Sequence, residues 1–230
     1  MRVVWVHTAF LFVPPKRGGG PSVDQQSYRT PAGEAGDSVT IKKSQFIGQI
    51  APASSPEEAL AFVERVRGEL RDARHHVFAY DLRCQNGQRC SDDGEPQGTG
   101  GKPTLEVLQK GGITDAVIVV SRIFGGVLLG AGGLLRAYSK AASLAVAAAD
   151  IVTVCACRQV VVALPYDFYP IVENLLPNYP LRQEGCDFLE QVTLRLTVRA
   201  DAAEGLCADL VERSGGRVTP QLGEVVFSHL

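Results

Sequence analysis

The sequence predicts an α+β chain made of two successive sheet-and-helix units. Three observations carry that prediction. Short apolar runs of strand length are interleaved with longer stretches of helical periodicity. Their order changes along the chain, reading β-α-β-α-β-α first and then β-α-β-β-α-β, the split βαβ or ferredoxin-like order. The length of 230 residues, 45% of them hydrophobic, suits one large domain or two small ones with a real core. Each unit is expected to be a two-layer α/β sandwich, a sheet with helices on one side.

Taken in order, residues 1–37 are expected to be a flexible N-terminal leader. Met1 to Val13 is apolar, has no A-x-A cleavage signal, is too short to span a bilayer, and runs into Pro14-Pro15-Lys16-Arg17. A stray strand covering a sheet edge is the alternative. The first domain, 38–150, opens with a strand over 38–50, where Val39, Ile41, Phe46, Ile47 and Ile50 bracket Lys42-Lys43-Ser44-Gln45. Ser54 or Ser55, followed by Pro56-Glu57-Glu58, starts a helix: a serine cap, proline in the first turn and carboxylates at the positive dipole end. Leu60, Phe62, Val63, Val66 and Leu70 form its buried stripe, and it ends near Asp72.

His75 to Arg83 alternates like a half-buried strand, and 84–101 reads as a long polar, glycine-rich loop. Lys102-Pro103-Thr104 opens a short helix closed by Gly111-Gly112, Ala116 to Ile123 is a buried strand, and an alanine-rich helix runs to Ala149. The second domain, 151–230, reads as strand 155–164, helix 167–176, strands 181–188 and 190–199, helix 202–213 and strand 217–228. Asp201-Ala202-Ala203-Glu204 has the composition of a capping box.

Charge excludes a strong polycation. Residues 38–150 carry 13 basic and 12 acidic side chains, and residues 151–230 carry 6 and 10, so no basic stripe for nonspecific phosphate binding is demanded. The six cysteines contain no C-x-x-C pair and the four histidines complete no zinc spacing. Reduced thiols in a cytoplasmic protein are the reading. Cys155 and Cys157 share a strand face, adjacent positions poorly placed for a disulfide.

Between Gly94 and Gly133 stand 11 of the 24 glycines, in 40 residues, among Asp92, Asp93, Glu95, Lys102, Arg122, Arg136 and Lys140. Gly132-Gly133 at the start of the long helix resembles an anion site, since free N–H groups point beyond the first turn. Arg136 and Lys140, four apart, share one face of that helix. The competing reading gives the glycines to turns and close helix-to-sheet contact. Gly130-Ala131-Gly132-Gly133-Leu134-Leu135 fails the dinucleotide fingerprint, and Pro103 after Lys102 fails the P-loop.

His75 and His76 leave a strand by opposite faces, so they cannot share one ion; each is a packed imidazole or an acid-base group. Asp92, Asp93 and Glu95 fit a hard-cation site, a carboxylate pair, or ion pairs to Lys102, Arg122 or Arg136 that lock the loop over the sheet. The expectation is no metal and no cofactor. The second unit lacks the aromatic run of an RNA-recognition strand and is net acidic, and Tyr166, Phe168, Tyr169 and Tyr179 read as helix and turn packing.

Four ordered blocks, Lys43-Ser44-Gln45-Phe46-Ile47, Ala73-Arg74-His75-His76, Ser91 through Pro103, and Arg122 through Tyr138, resemble the signatures of the YigZ/IMPACT family. The resemblance covers 38–150, and the remainder looks like the C-terminal domain of the bacterial members. It implies units similar to domains IV and V of elongation factor G. Gly100 stands where alanine is common and Val127-Leu128 where the family often has isoleucine-lysine. The eukaryotic members are translational regulators acting by protein contact, and no agreed catalytic residues come with the family.

The leading expectation is therefore a cytoplasmic, non-catalytic binding protein linked to translation. Its surface would be the 91–103 loop, Arg122 and the 125–140 loop and helix, its partner a translation-related protein or the ribosome and its RNA, with an anionic group at the glycine-rich loop and no membrane. The alternative is a hydrolase or phosphate-ligand enzyme using His75 or His76 with the Asp92–Glu95 cluster. A third reading makes the polar blocks a self-satisfied network that only holds loops in place.

Overall fold

The computed structural model describes residues 27–84 and 87–230. The chain divides into two units, the first holding Tyr28–Val152 and the second Thr153–Leu230. Both are mixed α and β, as the segment order predicts.

The first unit contains β1 (Tyr28–Pro31), β2 (Ala35–Ile41), β3 (Ser44–Pro52), α1 (Pro56–Glu69), β4 (His75–Asp81), β5 (Gln88–Ser91), α2 (Gly101–Gly111), β6 (Ala116–Ile123) and α3 (Ala131–Ala148). Its main sheet runs β2-β3-β6-β4-β5, every neighbour antiparallel. Of the expected leader, residues 1–26 lie outside the described residues. Residues 28–31 and 35–37, however, are strand, so the leader does not extend to 37. Thr30 Oγ1 donates to the Asp115 carbonyl at 3.1 Å, and the Arg83 guanidinium lies 3.2 Å from the Tyr28 ring centroid, which ties β1 down.

The expected single strand over 38–50 is a hairpin. Lys42 and Lys43 both have left-handed backbone, φ 45° and 65°, the requirement of a two-residue turn whose twist matches its strands. Asparagine and glycine are the usual residues there, so two lysines gave no turn signal. Within the expected 84–101 loop, β5 pairs with β4 from Phe78↔Ser91 to Asp81↔Gln88. The helix start is as read: Ser55 caps α1 by accepting from Glu58 N–H, and the Glu58 carboxylate accepts from Ser54 N–H and Oγ.

Helices cover both faces of the first sheet, where one side was expected. Phe46, Ile50, Val77, Ile118 and Val120 pack with Leu108 of α2 and Leu134, Ala137, Tyr138 and Ala141 of α3. Phe78, Tyr80, Val117 and Val119, pointing the other way, pack with Phe62, Val63 and Val66 of α1. The reason lies in β6, whose first five residues are continuously apolar and fully buried. A strand covered on one face alternates; one covered on both does not.

The second unit holds β7 (Ile151–Leu164, whose first two residues belong to the first unit), α4 (Tyr169–Leu175) with a 3-10 turn to Asn178, β8 (Leu181–Phe188), β9 (Val192–Arg199), α5 (Ala200–Arg213) and β10 (Gln221–His229). Its strand order is β10-β7-β9-β8, all antiparallel, the arrangement expected of the βαββαβ pattern. One core, including Val160, Val162, Leu194, Leu196, Phe168, Leu206 and Leu210, lies on one side of the sheet. The capping box does not form. Helix α5 begins at Ala200, one residue before Asp201, and the Asp201 carboxylate accepts from Arg199 Nε at 2.7 Å instead. Cys155 and Cys157 do share a face, with Sγ atoms 3.7 Å apart, and burial pushes the Cys157 thiol up to about 12.

Candidate functional site

The strand register gathers the polar blocks at one end of the first sheet. Phe46 of β3 and His75 of β4 both stand opposite Arg122 of β6, while His76 stands opposite Ser121. Side chains alternate along a strand, so Phe46, Arg122 and His75 share the face of α2 and α3, and His76 and Ser121 share the face of α1. The Lys42-Lys43 turn and the 124–130 loop leave the same end.

Arg122 and Glu95 form the buried centre. Arg122 Nη1 donates to Glu95 Oε1 at 2.6 Å, with side chains 7% and 3% exposed. Tyr138 Oη donates to the same oxygen at 2.8 Å, and burial, together with the Glu95 hydrogen bond and charge, drives the phenol well above its ordinary value. The Arg122 guanidinium lies 5.5 Å from the Phe46 ring and 5.4 Å from the Phe124 ring, and Phe46 meets Tyr138 edge-on at 5.2 Å. Arg122 is the partner among Lys102, Arg122 and Arg136 that the acidic loop takes by this pair.

Asp93, at φ 43°, wraps the end of β4. Its carbonyl accepts from His75 Nδ1 at 2.8 Å, its Oδ2 from the His76 backbone N–H at 2.7 Å, and its Oδ1 from Arg67 Nη2 of α1 at 3.0 Å. Asp92 instead folds its own loop: Oδ2 accepts from Gly98 N–H, and Oδ1 from Gly100 and Gly101 N–H, each at 2.8 Å. Burial opposes the charged carboxylate, but the three N–H donors prevail and hold its pKa below the ordinary value. Gly101 is required here, because a Cβ would stand 2.8 Å from the Ser91 backbone.

His76 is 4% exposed and its Nδ1 lies 2.8 Å from Ser121 Oγ. Burial, aided by the Arg67 charge, lowers its pKa. Ser121 is fully buried, so this pair presents no oxygen that a substrate can reach. All three carboxylates have protein partners, and a hard cation would have to displace them.

The remaining candidates face solvent. Lys102, Arg136 and Lys140 are exposed, and none has an ion-pair partner among the described residues. Helix α3 begins at Ala131, after the N-cap residue Gly130 (φ 70°), with no side-chain cap and no acid in its first turn. A Cβ on Gly132 would meet only Arg136 Nη1, at 3.8 Å, so that guanidinium lies beside the helix start. Gly133 faces Leu129. In the loop before α3 and near the start of that helix, Phe124, Val127, Leu128 and Leu135 are 42%, 38%, 82% and 47% exposed. From Ala116 to Ala149 the sequence has no Asp or Glu.

The structure thus separates the eleven sequence candidates. His75, His76, Asp92, Asp93, Glu95 and Arg122 knit the loops together, while Lys102, Gly132, Gly133, Arg136 and Lys140 stand at the surface. Sequence reasoning missed Arg67, Ser121 and Tyr138. For Tyr138 there was a signal: it falls on the buried stripe of α3, and a buried phenol needs a hydrogen-bond partner.

The Impact N-terminal domain matches residues 42–146 and a domain of unknown function, DUF1949, matches residues 162–217. The chain is 32% identical over 196 residues to the IMPACT family member YvyE of Bacillus subtilis, covering 84% of this chain and 90% of the relative. It is 34% identical over 194 residues to the IMPACT family member YigZ of Escherichia coli, 83% and 95% covered. Protein IMPACT of Bos taurus is 32% identical over 98 residues, 40% of this chain and 30% of the relative. A crystal structure described as that of an hypothetical protein superposes with a TM-score of 0.56 at 33% identity, covering 88% of this chain and 98% of that chain.

Proposed function

The chain belongs to the IMPACT family, and from that membership we propose that it is a non-catalytic, cytoplasmic binding protein that acts on translation by contact with a protein or with the ribosome and its RNA. The contact surface is the exposed start of α3 and the loop before it. Support comes first from the relatives: the match to the vertebrate protein spans 98 residues, 40% of this chain, and eukaryotic members of the family regulate translation by protein contact.

The observation that carries the reading is the division of charge. The carboxylates of the 91–95 loop are engaged inside the protein, whereas Arg136 is exposed beside the start of α3, which has no side-chain cap, Lys140 is exposed one turn further along that helix, and Lys102 is exposed on α2. Unsatisfied N–H groups and cations favour an anionic group of the partner. A hydrolase acting through the acidic loop would need one of those carboxylates free to meet a substrate, and each carboxylate has a protein partner instead.

Co-sedimentation with ribosomes at two salt concentrations tests the reading. Arg136→Ala and Lys140→Ala should each weaken binding, and where the contact is to phosphate each should lower the salt slope by about one. Unchanged affinity and slope in both variants would reject this surface.

A further inference from the structure

A second surface, in the other unit, is built for a different ligand. Phe188 ends β8 and is 56% exposed, Leu189 follows it at 79%, and Tyr166, in the turn after β7, is 50% exposed. The Phe188 ring stands 5.4 Å from Tyr169, edge-on at 78°, and 6.4 Å from Tyr166. Tyr166 Oη donates to the Leu189 carbonyl at 2.7 Å. The neighbouring Phe168, Val172 and Leu175 fill the core, so the shelf is fixed from beneath and by its own contacts. Isolated exposed hydrophobics are ordinary; rings held together and left in water are a preorganised contact surface.

Its electrostatics select the occupant. Glu173 lies one turn after Tyr169 on the same face of α4, and burial together with the Glu173 charge raises the Tyr169 phenol above its ordinary value. Glu190 follows Leu189. Both acids are exposed, and neither has an ion-pair partner among the described residues. The nearby cations are neutralised: Arg195 by Asp187 at 2.5 Å and Arg217 by Asp167 at 3.3 Å. Ring faces are themselves electronegative, and residues 151–230 carry 6 basic against 10 acidic side chains. Phosphates would be repelled here.

We propose that this aromatic shelf, Tyr166, Tyr169, Phe188 and Leu189 rimmed by Glu173 and Glu190, docks an arginine- or lysine-rich segment of a protein partner. Cationic side chains lie across the rings, their stems cover Leu189, and the two carboxylates answer their charge. The site is independent of the start of α3.

Fluorescence anisotropy with the full chain tests it, using as probes a peptide alternating arginine and alanine, an acidic counterpart, and a short single-stranded RNA. The basic peptide should bind in preference to the other two. Phe188→Ala should weaken it about threefold to tenfold, and Phe188→Leu, which keeps bulk but loses the ring, should do nearly the same. Glu173→Gln with Glu190→Gln should weaken it and flatten its salt dependence, while Arg136→Ala and Lys140→Ala should leave it unchanged, which keeps this result separate from the ribosome experiment. Basic-peptide binding that survives both the Phe188 and the carboxylate variants overturns the proposal. So does acidic-peptide or RNA binding that is lost in Phe188→Ala, and so does a concentration-dependent dimer lost in that variant, which would give the shelf to a second copy.

Discussion

Glu95 accepts hydrogen bonds from a guanidinium and a phenol through one oxygen, in a place where its side chain is 3% exposed. Removing one member of a buried pair leaves the other charged and unanswered. Glu95→Ala should therefore destabilise the protein by about 3–5 kcal/mol, and Glu95→Gln, which keeps the acceptor, by less; denaturant unfolding reads both. His76 predicts a pH effect of definite sign. Its folded pKa lies below the ordinary value, so on acidification the unfolded chain takes up a proton before the native one does, and stability is lost as pH falls from about 6.5 toward the folded pKa. His76→Asn should flatten that part of the stability profile; an equally steep fall in the variant would assign it to other groups. The sequence offered the ion pair of the acidic loop with Arg122 among other readings, and the structure shows it between Arg122 and Glu95; the roles of Asp92 and Asp93 were not legible. Whether a carboxylate meets a metal, a cation or its own backbone depends on the path of the turn, and Asp92, capping three N–H groups up to nine residues ahead, has no local sequence signature.

At the scale of elements, what was legible was what periodicity and caps encode: β6, the Ser55 start of α1, the closing glycine of α2 and the length of α3. The hairpin of β2 and β3 was hidden because its turn lysines carry no turn signal. The short β5 was hidden because four mostly exposed residues, Gln88 to Ser91, have no apolar alternation. The hairpin makes a demand elsewhere. Gly125 lies so close to the Lys43–Ser44 peptide that a Cβ would stand 2.0 Å from the Lys43 carbonyl carbon, and Gly125 N–H donates to Ser44 Oγ at 3.2 Å. Gly125→Ala should thus force hairpin and loop apart at a cost of about 1–3 kcal/mol or more. An unchanged melting temperature would show that the loop yields instead.

Across the whole molecule, the two-unit α+β plan was readable from segment order, and the ferredoxin-like strand order of the second unit followed from it. The layer count of the first unit was not taken from the sequence, although the unbroken apolar run of β6 carried it. Charge is divided by role as well as by position: the first unit ties the acids of its 91–95 loop inward and shows cations on α2 and α3, and the second does the reverse at its aromatic shelf. The covering of the first sheet on both sides has a further outcome. Many β-rich readers lay a ligand flat across an open sheet, but here α1 occupies one plane and α2 and α3 the other. A visitor to this unit finds no open sheet face, and meets instead the outer sides of the helices or the rim where strand ends and connecting turns converge.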